Sequence, residues 1–373
     1  MSPEHSLSSE SASKTAGAWR ILIAAGASAG HLYPALSFAE CIARQYPLCT
    51  IAFVSSRRNG IESNIAPYQC YLISIRPFSG PLKKLLQAVY GFIKSFIESF
   101  FIIEKFRPDV VIGFGSYVSF PILLEAALLK KHILLHEQNV SLGKANKWLS
   151  PFADAIAVSF KESEKISPRC VFTGNPLRAS LTPKNRKEAL GFFNLEDRFT
   201  IMALGGSQGS HRINNEFSQA LSLLDSQREV QAIHIAGRRD YLGLQKSSRY
   251  TTIKHRLFDF LPQMQWAYSA ADVVVCRAGA GTIAELAYYG KAAIVIPYPY
   301  AGGHQRENAS VLAKHKAAVV IEEHELTAVR LSETIRRLMD SAKERQGLEK
   351  NIRTFCVSDG AARLVRLAAS FLS

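Results

Sequence analysis

The 373-residue chain is 47% hydrophobic and carries 45 Lys and Arg against 31 Asp and Glu, a formal charge of +14. That length and apolar content suit an ordinary globular protein of two domains, and the positive balance asks for a polyanionic neighbour. No basic run interleaved with aromatics points to nucleic acid, and Cys41, Cys49, Cys70, Cys170, Cys276 and Cys356 form no C-x-x-C pair or metal-ligand spacing with histidine. Lipid headgroups and a phosphorylated substrate are therefore the favoured counter-charges, and the cysteines read as buried thiols in a reducing compartment.

Residues 1–18 are Ser-rich and polar, without an apolar h-region, and are expected to form a disordered tail. Arg20 to Ala25 reads as a strand, and Gly26 to His31 as a tight turn into a helix whose Pro34 suits the first turn. Further strands are expected at Thr50 to Ser55, Tyr71 to Ile75, Val110 to Ile112, Ile133 to Leu135, Ala155 to Val158 and Cys170 to Phe172, with helices between most of them. After Gly174-Asn175-Pro176 the chain turns polar through Lys187, which marks a domain connection and gives units at 19–180 and 181–360. The second unit repeats the first: Phe199 to Leu204, the small-residue loop Gly205 to Gly209, then a helix. Its other strands are expected at Ala232 to Ile235, Thr252 to Leu257, Val273 to Cys276, Ala293 to Ile296 and Val319 to Ile321, and residues 361–373 form a last apolar helix. Such alternation predicts an α/β protein of two Rossmann-like, doubly wound parallel sheets facing a cleft. Ligands of these sheets sit beyond the carboxyl ends of the strands, where all these loops lie.

One stretch, Cys276 to Ala309, carries the chemistry. A strand passes through Ala278 to Gly281 into a helix with Ile283, Leu286 and Ala287, so backbone N–H groups at the helix start can hold a phosphate over Gly279 to Thr282. Glu285, one turn on, can accept from two vicinal hydroxyls of a ribose. The spacing Thr282-x-x-Glu285 also matches a capping box, which would use both side chains to finish the helix.

Cys276 to Ala309 resembles the nucleotide-sugar segment of the peptidoglycan glycosyltransferases that add N-acetylglucosamine to undecaprenyl-pyrophosphoryl-muramyl-pentapeptide, enzymes of the GT-B type. AAGASAGHLYPAL, GFGSYVSFP, HEQNVSLGKANKWL, GNPLR and GGSQGSHRIN follow the same family's order from Ile21 onward. The resemblance implies inverting transfer from UDP-N-acetylglucosamine to the C4 hydroxyl of the lipid-linked muramyl sugar. It implies no metal or other cofactor, a peripheral position on the cytoplasmic face of the bacterial inner membrane, and other cell-wall enzymes as partners. Carried over by position, it makes His31 the candidate general base, with Glu137 as second candidate. A lone histidine can equally be structural, capping a helix or donating to a carbonyl. The backbone of Ser28, Ala29 and Gly30 would meet the sugar or the acceptor pyrophosphate. The family usually reads Gly-Gly-Thr-Gly-Gly-His there; Ala27 and Ala29 depart from it, and a methyl is costly wherever φ is positive. Asn139, Arg178 and Ser207 would contact the donor, Leu261 would read the uracil edge through its backbone, Ala280, Gly281 and Thr282 would hold a phosphate, Ile283 and Ala284 would also contact the substrate, Glu285 would hold the ribose, and Gln305 the hydroxyls of the transferred sugar. The final helix would cross back to the first domain.

Between Pro81 and Pro108, Leu82, Leu85 and Phe92 alternate with Lys83, Lys84 and Lys94, a pattern suited either to the headgroup layer of an anionic membrane or to a core helix with a solvated edge. Two other functions fit the same architecture: a UDP-sugar epimerase or a transferase with a soluble acceptor, and a non-catalytic UDP-sugar-binding protein.

Overall fold

The computed structural model describes residues 18–57, 65–75, 82–206, 208–224, 230–247, 253–300 and 303–372, with the backbone alone at 82–86 and 88. The expected tail, apart from Ala18, lies outside these residues.

The first sheet is built from β1 (Arg20–Ala24), β2 (Thr50–Ser56), β3 (Gln69–Ile73), β4 (Val110–Gly113), β5 (His132–Glu137), β6 (Ala155–Val158) and β7 (Cys170–Phe172). Its order is β3-β2-β1-β4-β5-β6-β7, and every pair is parallel. The covering helices are α1 (Ala29–Gln45), α2 (Leu82–Phe106), α3 (Ser119–Leu128) and the short α4 (Lys144–Leu149). Period-two alternation feeds both faces, as a sheet buried on two sides requires. Ile21 and Ile23 of β1 join Phe38 and Ile42 of α1 on one face, whereas Leu22 and Ala24 join Ile103 of α2 and Ile122 of α3 on the other.

After α5 (Arg186–Phe192), the second sheet is built from β8 (Phe199–Leu204), β9 (Val230–Ile235), β10 (Lys254–Phe258), β11 (Val273–Cys276), β12 (Ala292–Val295) and β13 (Val319–Val320). Its order is β10-β9-β8-β11-β12-β13, again wholly parallel. Helices α6 (His211–Leu223), α7 (Arg238–Ser247), α8 (Met264–Ala270), α9 (Ala280–Tyr289), α10 (His304–Lys314), α11 (Ala328–Asp340) and α12 (Ala342–Arg353) cover it. The last helix, α13 (Gly360–Ala369), buries Leu364, Val365 and Ala368 in the first unit's cluster with Ile21 and Phe38. The architecture is the expected one, two doubly wound parallel-sheet domains. The strand order reverses between β1 and β4 in one sheet and between β8 and β11 in the other, so the loops after these four strands are the places where a crevice opens.

Pro34 departs from expectation. Helix α1 starts at Ala29, which puts Pro34 in its second turn, inside the helix. The small-residue loop continues directly into the helix, so the first turn is spent on Ala29, Gly30 and His31.

Candidate active site

A cleft of about 1340 Å³ runs between the domains. Ala27, Ser28, Ala29 and Tyr33 line it from one side, and Gly205, Gly206, Gly209, Arg238, Arg277 and Gln305 from the other. The strand-end loops thus meet across the gap. Neither Ala27 nor Ala29 has a positive φ, so the two methyl groups sit in ordinary backbone and the loop after β1 tolerates them.

His31 follows that loop on the first turn of α1. Its Nδ1 lies 2.8 Å from the carbonyl oxygen of Phe114, in the loop after β4. A carbonyl can only accept, so Nδ1 carries the proton and Nε2 keeps its lone pair. Burial lowers the imidazole's pKa below 6.5 against the opposing pull of Glu137, which favours the neutral ring. One nitrogen of the histidine is thus committed to the Phe114 carbonyl, and the lone pair lies on the other.

Glu137 ends β5 and is buried. Its Oε1 accepts from the backbone N–H and Nδ2 of Asn139 at 3.0 and 3.1 Å, and its Oε2 from the Gly143 N–H and Asn146 Nδ2 at 2.8 and 2.9 Å. Four donors on one carboxylate hold the HEQN loop to the start of α4. Asn139 is itself engaged, because its Oδ1 accepts from Asn308 Nδ2 at 3.1 Å. Asn308, fully buried on α10, also donates to Ala278 O and accepts from the Val140 N–H, both at 3.0 Å, and so joins the two domains.

The capping box is not formed. Helix α9 takes Gly279 as its N-cap, without a side-chain bond, which makes Thr282 its third residue and leaves Glu285 for other partners. Glu285 Oε2 accepts from the buried Tyr268 hydroxyl at 2.8 Å, and Oε1 lies 3.4 Å from Arg178 Nη2. Burial raises the Glu285 pKa even though Arg178 and Tyr268 oppose it. The Arg178 guanidinium lies over the ring of Tyr33 at 4.5 Å. Ala280, Ile283 and Ala284 do not line the main cleft; with Asn175 and Leu177 they enclose a cavity of about 20 Å³ at the domain joint. Gly281 and Thr282 complete the first turn of α9 beside it, and the Leu261 side chain is core. Gln305 reaches the main cleft with its Oε1 accepting from the Tyr298 N–H at 3.0 Å. Ser207 lies outside the described residues.

Sequence reasoning passed over several cleft residues. Arg238 and Arg239 follow β9 as the other loops follow their strands, which was the available signal. Arg277 lacked a local one: its guanidinium pairs with both carboxylate oxygens of Glu323 and donates to Ser210 Oγ at 2.7 Å, partners far away in the chain.

On α2, Phe92 turns inward, its ring 6.0 Å from that of Phe120, because it lies on the stripe facing α3. Lys94 is exposed, and the side chains of Leu82, Lys83, Lys84 and Leu85 lie outside the described residues. Among the described side chains of this helix, the exposed apolar ones are Val89, Tyr90, Ile93, Ile97, Phe100 and Phe101. No helix among the described residues is long and apolar enough to cross a membrane.

Residues 21–158 match the glycosyltransferase family 28 N-terminal domain and residues 200–364 its C-terminal domain. The UDP-N-acetylglucosamine--N-acetylmuramyl-(pentapeptide) pyrophosphoryl-undecaprenol N-acetylglucosamine transferase of Thermodesulfovibrio yellowstonii is 35% identical over 362 residues, which cover 95% of this chain and 99% of the relative. The protein of the same name from Geotalea daltonii is 37% identical over 361 residues, 93% of this chain and 96% of the relative. The crystal structure of Acinetobacter baumannii MurG superposes with a TM-score of 0.74 at 26% identity, covering 93% of this chain and 98% of that one. With both domains matched and the loops after β1 and β8 facing each other across the cleft, this chain belongs to glycosyltransferase family 28, in the family of those N-acetylglucosamine transferases.

Proposed function

We propose that the protein transfers N-acetylglucosamine from UDP-N-acetylglucosamine to the C4 hydroxyl of undecaprenyl-pyrophosphoryl-N-acetylmuramyl-pentapeptide, inverting the anomeric carbon. The carrying observation is the cleft lined by loops of both domains, with His31 next in the chain to its lining residues and committed to the Phe114 carbonyl through Nδ1, so that Nε2 is the nitrogen left to take a proton. In this reading the acceptor oxygen attacks C1, its proton passes to His31 Nε2, and the bond from C1 to the diphosphate oxygen breaks with its electron pair leaving on UDP. Glu137 acts as a positioning residue, because its four bonds already commit it to the loop. Ser28, Ala29 and Gly30 receive the acceptor side through backbone N–H groups that an α-helix leaves without acceptors in its first turn. The donor lies on the second domain, with residues 280–282 and Ser207 at the phosphates, Glu285 at the ribose, the Leu261 backbone at the uracil and Gln305 at the sugar hydroxyls. Arg178 and Asn139 reach it from the first domain. With the Gln305 carbonyl oxygen engaged by Tyr298, its amide NH2 is the group left to donate.

The acceptor's tail stays in the bilayer, so the cleft has to be brought to it. The exposed apolar stripe of α2, flanked by Lys94 and Lys105, supports peripheral attachment to an anionic membrane surface at the cytoplasmic face. Incubation with labelled UDP-N-acetylglucosamine and a short-chain lipid-pyrophosphoryl-muramyl-pentapeptide tests the reaction. A disaccharide product on the lipid is expected. Turnover of the nucleotide sugar without lipid would favour an epimerase, and binding without turnover a non-catalytic protein.

A further inference from the structure

Tyr268 is fully buried on α8, and its hydroxyl points at the one carboxylate that the donor reading assigns to the ribose. The two partners of Glu285 differ in quality. The phenol sits at 2.8 Å from Oε2, the normal length for an O–H donor, whereas the Arg178 nitrogen is 3.4 Å from Oε1, longer than the roughly 2.7–2.9 Å of a good charge-assisted pair. The phenol is also fixed from behind, because its ring stacks on that of Tyr289 at 4.9 Å and 18°. Burial first, then the charge of Glu285, pushes the Tyr268 pKa well up, so the hydroxyl keeps its proton to donate. Arg178, by contrast, is reached across the domain joint, with its Nε buried and without a partner among the described residues.

We propose that Tyr268 is a positioning residue for donor recognition: it clamps Oε2 of Glu285, so that Oε1 is the oxygen exchanged between Arg178 in the ligand-free protein and a ribose hydroxyl in the complex. The inference rests on the assignment of Glu285 to the ribose. The diphosphate, carrying more negative charge than a carboxylate, competes for Arg178 and releases Oε1, while the clamp keeps the carboxylate from following the guanidinium.

Tyr268→Phe removes the hydroxyl and keeps the stacked ring. Calorimetric titration of the full chain with UDP and with 2′,3′-dideoxyuridine diphosphate separates positioning from packing, with Glu285→Gln as a parallel variant. Tyr268→Phe is expected to weaken UDP about tenfold, the usual scale for losing a bond to a charged group, while the dideoxy nucleotide stays within about twofold. Equal weakening of both nucleotides, or no change in UDP affinity, overturns the clamp if Glu285→Gln has erased the preference for UDP. If Glu285→Gln leaves that preference intact, the ribose assignment falls first and takes the clamp with it. A melting curve for each variant confirms that the folded fraction is what binds.

Discussion

The imidazole of His31 and the carbonyl of Phe114 are joined at 2.8 Å across the point where the order of the first sheet reverses, tying the loop after β1 to the loop after β4. The bond selects the tautomer and thereby sends the free lone pair to Nε2. A ring held at one nitrogen and basic at the other is what a general base requires.

Replacing His31 by Ala is therefore expected to cut turnover by at least about a hundredfold, while UDP affinity by titration stays near that of the parent. Because burial lowers the His31 pKa below 6.5, the acid limb of the kcat/KM profile should lie below that value. A variant retaining more than about a tenth of the activity would remove His31 as the principal base.

Two glycines of the loop after β8 should respond differently to a methyl group. A Cβ on Gly209 would stand 2.0 Å from the Ala236 carbonyl oxygen, with φ at +77°, whereas one on Gly206, φ +87°, meets nothing within 4 Å. Gly206→Ala is expected to cost about 1 kcal/mol, for its backbone alone. Gly209→Ala, which must move backbone as well, should cost on the order of 3 kcal/mol in urea unfolding. Equal costs would mean that the loop relaxes without resistance.

Acid should weaken the fold through buried histidines. Burial lowers the pKa of His136 and of His255 from 6.5 to about 4. Between those values the unfolded chain binds protons that the folded one refuses, so this contribution is complete above about 6.5 and is lost as pH falls towards 4. His255→Leu should flatten the dependence of unfolding free energy on pH by about 1.4 kcal/mol per unit between pH 5 and 6, one proton's worth. Parallel curves for variant and parent would show that His255 does not titrate on unfolding.

The apolar stripe of α2 gives the membrane reading its test. Exchanging exposed Tyr90, Ile93, Ile97 and Phe101 for serine should release the protein from anionic vesicles and slow transfer to a bilayer-embedded acceptor. Transfer to a short-chain, water-soluble acceptor should be spared, since none of these residues lines the cleft. Undiminished vesicle binding would move the membrane contact elsewhere on the surface.

Much of this molecule was legible in its sequence. Buried strands are short apolar runs bounded by turn residues, a local pattern, so β6, β7, β8 and β11 are found residue for residue where the runs predict them, and the other described strands within a few positions. The loops followed, because a parallel strand that ends in small residues before a helix has few other conformations open to it. What each side chain does when the domains meet was decided by tertiary structure. Glu285 and Arg178 are 107 residues apart and Val140 and Asn308 are 168 apart, and no local pattern encodes how two separately folded sheets dock. The capping spacing of Thr282 and Glu285 was a true sequence feature, yet the start of α9 at Ala280 leaves it unused and frees the carboxylate for Tyr268. On α2 the apolar residues run nearly all round the helix, and packing against α3 chose which of them, Phe92 among them, turn inward and which stay in solvent.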